Sequence, residues 1–319
     1  MARKKWIFSC LLIFPSLIMF GLFIHLQDYD MWYFCFGCAD SLLQYRSDFN
    51  YKVFLKHPIV DCRDTPPFLV LLVTTIQSQK EARMAIRKSW GKERLIRGKR
   101  VVTFFLLGLK ENEPIKETFK LAHEHIIYND IIQQNFIDTY YNLTLKTLAG
   151  IEWITHHCPQ ASYVMKTDSD MFINTFYLVE LLLRKNQPSN FFTGVLKPDD
   201  SPIRDRISKW YVSEKEYAGE KYPPFCSGTG YVLSTDVAQK IYNISFSLPF
   251  FKLEDVYVGM CLDRLKIPLQ ELHKETTFFA SKPAFSICTY RNIVSAHEVP
   301  PHEIVMYWEA LKRSRDEVC

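Results

Sequence analysis

Two aspartates separated by one residue have the clearest capacity for chemistry in this sequence. Asp168 and Asp170 follow the short apolar run 163–165, which is typical of a buried strand. Residues two apart in an extended backbone share one face, so the two carboxylates would point the same way and Ser169 the other. Paired carboxylates suit Mn²⁺ or Mg²⁺, which could neutralise a nucleotide diphosphate. A solvated loop with two acids is the alternative interpretation.

Apolar runs and helical segments alternate before the aspartates. The runs 68–75, 101–108 and 126–130 predict strands, as does the run ending at the aspartates. Helices are predicted at 79–90, at 111–125 with Ile115, Phe119 and Ala122 at helical spacing, and at 141–157. This alternation predicts an α/β fold with a parallel sheet between helices. Ligands bind such sheets outside the carboxyl ends of the strands, and the aspartates lie at one such end.

The second half is less regular. Short strands are predicted at 191–196, 210–212, 231–234, 284–290 and 293–296, with a turn-rich loop at 222–230 and a helix at 254–264. His297 directly follows the last of these strands.

Composition excludes two classes of protein. A hydrophobic content of 48% and an aromatic content of 15% supply a substantial core, which excludes a disordered chain. The formal net charge of +4 over 319 residues is small, and no basic block follows the extreme N-terminus. We therefore expect no nucleic-acid partner.

The N-terminus has the pattern of a membrane anchor. Residues 6–26 are mostly apolar, long enough to cross a bilayer, with three basic residues before them and two acidic residues after. The positive-inside rule then places residues 1–5 in the cytosol and the rest of the chain in the lumen. We predict an uncleaved type II signal anchor, through which the chain contacts the lipid bilayer; a cleaved signal peptide is the alternative.

The remainder reads as a stem at 27–61 and a single lumenal domain at 62–319. Asn142 and Asn243 begin acceptor sequons for N-glycosylation. Cys35 and Cys38 are more consistent with membrane-proximal thiols or an intermolecular disulfide than with half a zinc site. The six cysteines from Cys62 onward could form three disulfides, and the sequence does not choose their pairing. Whether the chain forms homodimers is also left open.

Six short motifs run in order through residues 66–300. They are the pattern Arg83, Arg87 and Trp90, then residues 105–108 (FLLG), 141–147 (YNLTLKT), 166–170 (KTDSD), 222–231 (YPPFCSGTGY) and 254–259 (EDVYVG). Together they resemble the lumenal β1,3-glycosyltransferase family. Many relatives have a third aspartate where Ser169 stands, and because Ser169 faces away from the pair, this departure should not harm metal binding.

The resemblance implies a GT-A-type fold, with a mixed, mostly parallel sheet flanked by helices. It also implies inverting transfer of galactose from UDP-galactose to the 3-hydroxyl of a terminal N-acetylglucosamine. The product would be Galβ1-3GlcNAc, the type 1 chain, on glycoproteins and glycolipids, made at the Golgi membrane. A β1,3-N-acetylglucosaminyltransferase that uses UDP-GlcNAc is one alternative. A membrane-anchored relative that binds glycans without transferring them is another.

Within this family the metal would be Mn²⁺ or Mg²⁺. We expect Asp170 to be its direct ligand, with Asp168 reaching the ribose or bridging through water. Metal-dependent members of this fold often place a histidine near the C-terminus, which makes His297 the candidate ligand from the far side. A core or surface histidine is the alternative.

The predicted base is Asp255, the second acid of the Glu-Asp-Val motif. Family resemblance gives that position the role, and a helix N-terminus favours an ionised carboxylate. Glu254 is the alternative base, and a plain acidic helix start is a third interpretation.

Arg87 and Lys166 are the predicted cations that contact the nucleotide or its phosphates. For Lys166, a structural salt bridge to the aspartate pair is the competing interpretation. Trp90 is interpreted as core packing rather than as a platform for the base.

The acceptor is predicted to contact Trp210, by stacking on a sugar ring. It is also predicted to approach Gly228 and Gly230, whose lack of a side chain lets a backbone come close to a sugar.

Overall fold

The most apolar stretches of the chain form the centre of the fold. A computed structural model describes residues 53–112, 114–314 and 319. Strand β2 is buried along its whole length, and most of the long strand β4 is buried too, as parallel strands with both faces covered should be. The strands are β1 Phe54–Lys56, β2 Leu69–Thr74, β3 Arg94–Ile96, β4 Lys99–Leu109, β5 Ile131–Ile137, β6 Tyr163–Asp168, β7 Phe172–Ile173, β8 Phe192–Lys197, β9 Phe225–Ser234 and β10 Ser295–Ala296.

Eight of these strands form one mixed sheet in the order β1-β5-β4-β2-β6-β9-β8, with β3 paired to β4. Strands β5, β4, β2 and β6 are mutually parallel, whereas β1, β3, β9 and β8 add antiparallel pairs. In the β2–β6 pair the last residues, Thr74 and Asp168, are opposite one another. The predicted parallel centre is confirmed, within a sheet whose outer strands are antiparallel.

Helices cover both faces of this sheet. They are α1 Lys80–Lys88, α2 Ile115–Tyr128, α3 Leu143–His157, α4 Thr175–Lys185, α5 Thr235–Ser245, α6 Glu254–Leu265, α7 Ile287–Arg291 and α8 Pro301–Arg313, with a 3-10 turn at Tyr140–Asn142. One core contains α1, α4 and α8 residues; the other contains α3, α5 and α6 residues. Trp90 is fully buried in the first core and donates to the Met171 carbonyl at 3.1 Å, which confirms its packing role.

Helix α2 is oriented unexpectedly. Its apolar residues at helical spacing lie on the outside: Ile115 is 69% exposed and Phe119 50%. The inward face carries Leu121 and the buried Glu124, whose carboxylate binds Arg83 of α1. An ion pair therefore joins α2 to its neighbour on the side where an apolar contact is the usual arrangement.

Three of the predicted strands are wrong. Residues 126–128 continue α2, which ends at Asn129 in the left-handed conformation, and the true strand is β5. Residues 210–212 form no strand, only an isolated bridge from Ile203 to Tyr211. Residues 287–290 are helical, because the Ser286 side chain caps α7 by accepting from the Thr289 amide.

The predicted loop at 222–230 is also largely extended. Strand β9 begins at Phe225, so it includes the glycine-containing segment and not only the apolar run after it. Gly230 pairs with Thr167 of β6, and the backbone hydrogen bonds of a neighbouring strand hold this segment straight.

The compact unit Val53–Cys319 includes residues of the predicted stem. Strand β1 lies within the predicted stem, and it pairs with β5. The predicted tail, anchor and most of the stem fall outside the described residues. Within the described part of the chain, no helix has the length and apolar character needed to span a bilayer.

Among the six cysteines from Cys62 onward, all of which the structure describes, two disulfides form rather than three. Cys62 pairs with Cys158 and Cys288 with Cys319, while Cys226 and Cys261 are buried free thiols. The first bridge ties the segment before β2 to the residue after α3 across 96 positions of sequence.

The two sequon asparagines differ in their surroundings. Asn243 is exposed on α5, whereas the Asn142 amide nitrogen donates to the Ile137 carbonyl at 2.7 Å. Glycosylation at either position remains a prediction.

Candidate active site

A cleft opens at the carboxyl ends of β2 and β6, where the parallel-sheet argument places a ligand site. Its cavity measures about 480 Å³, and its lining includes Asp168, Gly228, Asp255 and His297. These residues come from β6, β9, the start of α6 and the segment after β10. The fold therefore gathers most of the predicted site residues in one place.

Asp168 is held by groups on its own side of the sheet. Its Oδ1 atom accepts from the Thr74 hydroxyl at 2.6 Å and from the Lys166 ammonium at 2.8 Å. Both contacts use Oδ1, so among the described residues Oδ2 has no hydrogen-bond partner. One oxygen is thus fixed by the protein, and the other is left for a ligand.

Asp170 and His297 meet although 127 positions separate them. Asp170 precedes strand β7, and His297 follows strand β10. These two strands pair antiparallel, with Phe172 opposite Ala296, and the pairing brings Asp170 and His297 together. The Asp170 carbonyl accepts from the Val299 amide at 2.9 Å, which fixes the same crossing. His297 Nε2 lies 3.4 Å from Asp170 Oδ2.

The geometry around His297 suits a metal ligand. Its Nδ1 atom donates to the Ala280 carbonyl at 3.2 Å, which leaves the Nε2 lone pair directed at the aspartates. Ligand atoms from Asp168, Asp170 and His297 all lie within 4.8 Å of one another. Two carboxylates and an imidazole form a donor set that fits Mn²⁺.

Charge within this trio shifts both pKa values. When protonated, the His297 ring donates to the Asp170 carboxylate, and this hydrogen bond raises the pKa of His297, although burial opposes that shift. Burial would raise the pKa of Asp170, but contact with His297 lowers it. The pair therefore favours an ionised Asp170, the form that a metal requires.

Lys166 is a structural cation of this site. Its ammonium is buried among Asp168 Oδ1, the Gly228 carbonyl at 2.5 Å and Glu254 Oε2 at 3.5 Å. Burial would lower the pKa of Lys166, but the neighbouring carboxylates raise it. The ammonium is thus directed at protein oxygens, as the salt-bridge interpretation predicts, and a donor contact through it is not supported.

The two acids at the start of α6 have different environments. Glu254 is buried, with Oε1 accepting from the Tyr231 hydroxyl at 2.5 Å, and burial raises its pKa. Asp255 is partly exposed to the cleft; Oδ2 accepts from the Gly228 amide at 3.1 Å and Oδ1 from the Val256 amide at 2.9 Å. Burial raises the pKa of Asp255, and these backbone bonds partly offset the shift. Asp255 is the more accessible carboxylate of the two.

Gly228 links the metal side of the cleft to the base side. Its carbonyl accepts from Lys166 and its amide donates to Asp255. A Cβ atom at this position would lie 3.2 Å from Glu254 Oε2 and 3.4 Å from Asp255 Oδ2. A glycine is needed here so that β9 can approach both acids closely.

Gly230 does not line the cleft, contrary to prediction. A Cβ atom there would lie 3.3 Å from the Met165 side chain and 3.4 Å from Thr167 Oγ1. Gly230 therefore packs against β6, and the lining of the cleft gives no support to its assignment to the acceptor.

Trp210 lines the cleft, and its stacking on an acceptor sugar remains a prediction. It is 47% exposed, and the Lys209 ammonium lies 4.6 Å from its ring centroid. Tyr140, in the 3-10 turn before α3, contributes a second aromatic ring to the lining. The sequence motif 141–147 begins one residue later, so Tyr140 was not identified beforehand.

Arg87 is not part of the cleft, which corrects its assignment to the donor. Its guanidinium binds both oxygens of Asp130 at 2.7 and 2.8 Å and Glu124 at 2.7 Å, and it covers the Tyr128 ring at 4.1 Å. It lines a separate cavity beside Asp130. The guanidinium is used to hold α1 against α2 and β5.

Comparison with known proteins gives the family. Residues 81–273 match the family model described as galactosyltransferase. The chain is 50% identical over 317 residues to β1,3-galactosyltransferase 5 of Homo sapiens, covering 99% of this chain and 98% of that protein. It is 53% identical over 266 residues to the Mus musculus protein of that name, covering 83% and 86%. To β1,3-galactosyltransferase 2 of Pongo abelii it is 42% identical over 279 residues, covering 86% and 65%.

Among solved structures, the WbbM bifunctional glycosyltransferase is similar at a TM-score of 0.42 and 12% identity, covering 82% of this chain and 53% of that one. A similarity of this size carries no argument about function. The sequence matches do: they confirm the resemblance drawn from the six motifs, and the chain belongs to the galactosyltransferase family.

Proposed function

We propose that this protein transfers galactose from UDP-galactose to the 3-hydroxyl of a terminal N-acetylglucosamine, with inversion. Its relatives are named β1,3-galactosyltransferases, which supports the sugar and the linkage. The observation that carries the proposal is a single cleft lined by Asp168 and His297, two members of a carboxylate–imidazole trio completed by Asp170, and by a separate carboxylate, Asp255. The donor nucleotide and the acceptor sugar rest on the family resemblance.

The donor side is formed by Asp168, Asp170 and His297. These residues would hold Mn²⁺ or Mg²⁺, which when bound supplies Lewis-acid stabilisation of the diphosphate leaving group. The protein's own contribution is orientation: Thr74 and Lys166 fix one oxygen of Asp168, and the Ala280 carbonyl fixes the His297 ring. Three pre-positioned ligands reduce the ordering that donor binding would otherwise require.

Asp255 is the proposed general base for the acceptor hydroxyl. The amides of Gly228 and Val256 hold its carboxylate in one orientation, and it is the acid with access to the cavity. A pKa raised by burial makes the Asp255 carboxylate a stronger base than an exposed aspartate. Glu254 fits a different task, because it is buried against Tyr231 and Lys166 and holds that lysine in place.

Trp210 and Tyr140 form the proposed acceptor wall. Both rings line the cavity and offer flat apolar surfaces on which a sugar ring can stack. These two rings would contact only the terminal sugar. Discrimination between glycoprotein and glycolipid acceptors would depend on the rest of the acceptor, outside this contact.

Two alternatives make different predictions. A β1,3-N-acetylglucosaminyltransferase would keep the same base and metal site and would use UDP-GlcNAc, so exchanging the donors separates the two activities. A glycan-binding relative without activity would lack the metal or base group. Here Asp168, Asp170, Asp255 and His297 are all present and line or border one cleft, which favours catalysis.

A location at the Golgi membrane, with residues 6–26 as a type II anchor, is part of the proposal. It rests on the apolar run and its flanking charges. Removal of N-linked glycans should shift the chain on a gel, and replacing Asn243 by Gln should remove part of that shift. A chain that carries no N-glycan and fractionates with cytosolic proteins would contradict the topology.

The direct test is transfer of radiolabelled galactose by the purified full-length chain in detergent, with Mn²⁺ and a GlcNAc-terminated acceptor. Linkage analysis of the product should give Galβ1-3GlcNAc, and UDP-GlcNAc should be a poor donor. A product with GlcNAc on a galactose acceptor, or no transfer from either donor, would contradict the proposal.

A further inference from the structure

The outer face of α2 has the pattern of a helix-pairing surface. Four apolar residues follow one another at intervals of four, three and four positions: Ile115, Phe119, Ala122 and Ile126. These intervals are those of successive d, a, d and a positions in a heptad repeat. Ile115, Phe119 and Ile126 are 69%, 50% and 78% exposed. We call these four residues the α2 seam. It covers two heptads and points away from the protein's own core.

The opposite face of α2 explains why the seam is outside. Glu124 occupies the heptad position farthest from the seam, and it is buried in ion pairs with Arg83 and Arg87 of α1. Breaking such buried pairs costs several kcal/mol, so the helix cannot rotate to bury its apolar residues instead. The seam is therefore a fixed feature of the surface.

The α2 seam is complementary to itself. Its spacing is the same when read in either direction, so in an antiparallel pair of α2 helices Ile115 lies opposite Ile126 of the other copy. Phe119 then lies opposite Ala122, so each large side chain meets a small one, as close packing requires. A parallel pair would set phenylalanine against phenylalanine and leave a gap at the alanines. An isologous two-fold interface requires this kind of self-complementarity.

The apolar surface extends past the end of the helix. Ile59 is 85% exposed and is tied to α2 by two hydrogen bonds with Asn129, and Ile127 is 56% exposed. A stable interface buries about 800 Å² on each partner, more than four helical side chains supply. The two-fold axis would place this extension against the start of α2 in the other copy. Lys116 and His123 border the seam at e positions of the heptad and provide a polar rim.

We propose that the α2 seam is the interface of a homodimer, in which the α2 helices of two copies pack antiparallel about a two-fold axis between Phe119 and Ala122. A lipid surface would take up the same apolar residues, but it would not distinguish large from small side chains in this order. The cleft plays no part in the interface, so the dimer is independent of the proposed activity.

The test measures the mass of the full-length chain in detergent by sedimentation velocity over a range of concentrations. Cys35 and Cys38 are changed to Ser throughout, so that these thiols cannot link two chains. The unaltered seam should give a two-chain species, and Phe119→Glu should give a monomer. Ile207→Glu is the matched control, because Ile207 is 94% exposed and lies in another part of the chain. It should leave association unchanged.

A size swap tests the antiparallel register. Phe119→Ala and Ala122→Phe should each weaken association about tenfold or more, since one leaves a gap and the other forces two rings together. Both changes in one chain should restore it, because the large residue again meets the small one. Phe119 is exposed and Ala122 is only partly buried, so each variant should keep the thermal unfolding temperature of the parent.

Four results would overturn the proposal. They are a monomer at every concentration, a dimer that withstands Phe119→Glu, a double variant no better than the single ones, and a chain in phosphatidylcholine vesicles that stays monomeric while the α2 amides gain protection from hydrogen exchange. The last result would identify a lipid surface as the occupant.

Discussion

Replacing Asp255 by Asn should lower kcat by about 10²–10⁴-fold, the range that a positioned general base supplies. The structure allows this change to be nearly isosteric. Asparagine keeps one oxygen for the Gly228 or the Val256 amide and loses one of these two bonds, which costs about 1 kcal/mol of folding stability. The variant should therefore be folded, should bind UDP with Mn²⁺ as the parent does, and should fail in the transfer step.

Glu254→Gln is the matched control. The glutamine side chain can still accept a hydrogen bond from the Tyr231 hydroxyl, but Lys166 loses the negatively charged partner that Glu254 provides. We expect a moderate loss of kcat with some loss of stability, smaller than the loss at Asp255. The assay is steady-state transfer with both substrates varied, together with UDP binding by calorimetry. A larger loss at Glu254 than at Asp255, or loss of UDP binding at Asp255, would refute the assignment of the base.

Asp255 also makes the activity depend on pH. Only the ionised carboxylate can accept the acceptor proton, so activity falls as pH decreases through the pKa of Asp255. Burial raises this pKa, and the acidic limb of kcat/KM should therefore lie above the ordinary aspartate value of 3.8. The limb should be absent from the residual activity of Asp255→Asn. A limb at or below that value would contradict the burial of this group.

Three further changes separate structure from chemistry. Lys166→Met removes the cation between Asp168 and Glu254. It should lower the free energy of unfolding in urea by about 3–5 kcal/mol and reduce activity. A stable variant with only a raised KM for UDP-galactose would instead indicate a contact between Lys166 and the donor. Arg87→Met should lower stability without changing that KM, and an altered KM at full stability would contradict its structural role. Cys62→Ser should lower the free energy of unfolding by about 4–5 kcal/mol, whereas Cys226→Ser, at a free thiol, should lack this cross-link effect; equal losses would count against the pairing.

The sequence predicted the centre of the fold and most of the cleft because both depend on local patterns. Apolar runs marked β2, β4 and β6, and the carboxyl end of a parallel strand marked the place of Asp168. Asp255 and His297 were assigned through the family resemblance and through their positions, Asp255 at the start of a predicted helix and His297 directly after a predicted strand. The structure brings each of these residues to the same cleft, whereas their roles in catalysis remain predictions.

The failures involve contacts between distant parts of the chain. Arg87 has the charge expected of a phosphate ligand, but Glu124 and Asp130 lie close enough in space to bind it. Helical spacing marked the apolar face of α2, yet a buried ion pair decides which face points inward. Gly230 could not be distinguished from Gly228 by residue type, because what separates them is their place along β9: Gly230 is paired with Thr167 of β6, whereas Gly228 lies beyond the last residue of that pairing.

The central claim is that Asp168, Asp170 and His297 make galactosyl transfer depend on a metal. The most direct measurement is transfer by chelator-treated protein as Mn²⁺ is added back, in the parent, in Asp170→Ala and in Asp199→Ala, an exposed acid paired with Lys221 as the control. We predict that the parent and the control regain activity with Mn²⁺ and that Asp170→Ala does not, at an unchanged unfolding temperature. Full transfer in the presence of chelator, or full activity of Asp170→Ala, would contradict the account.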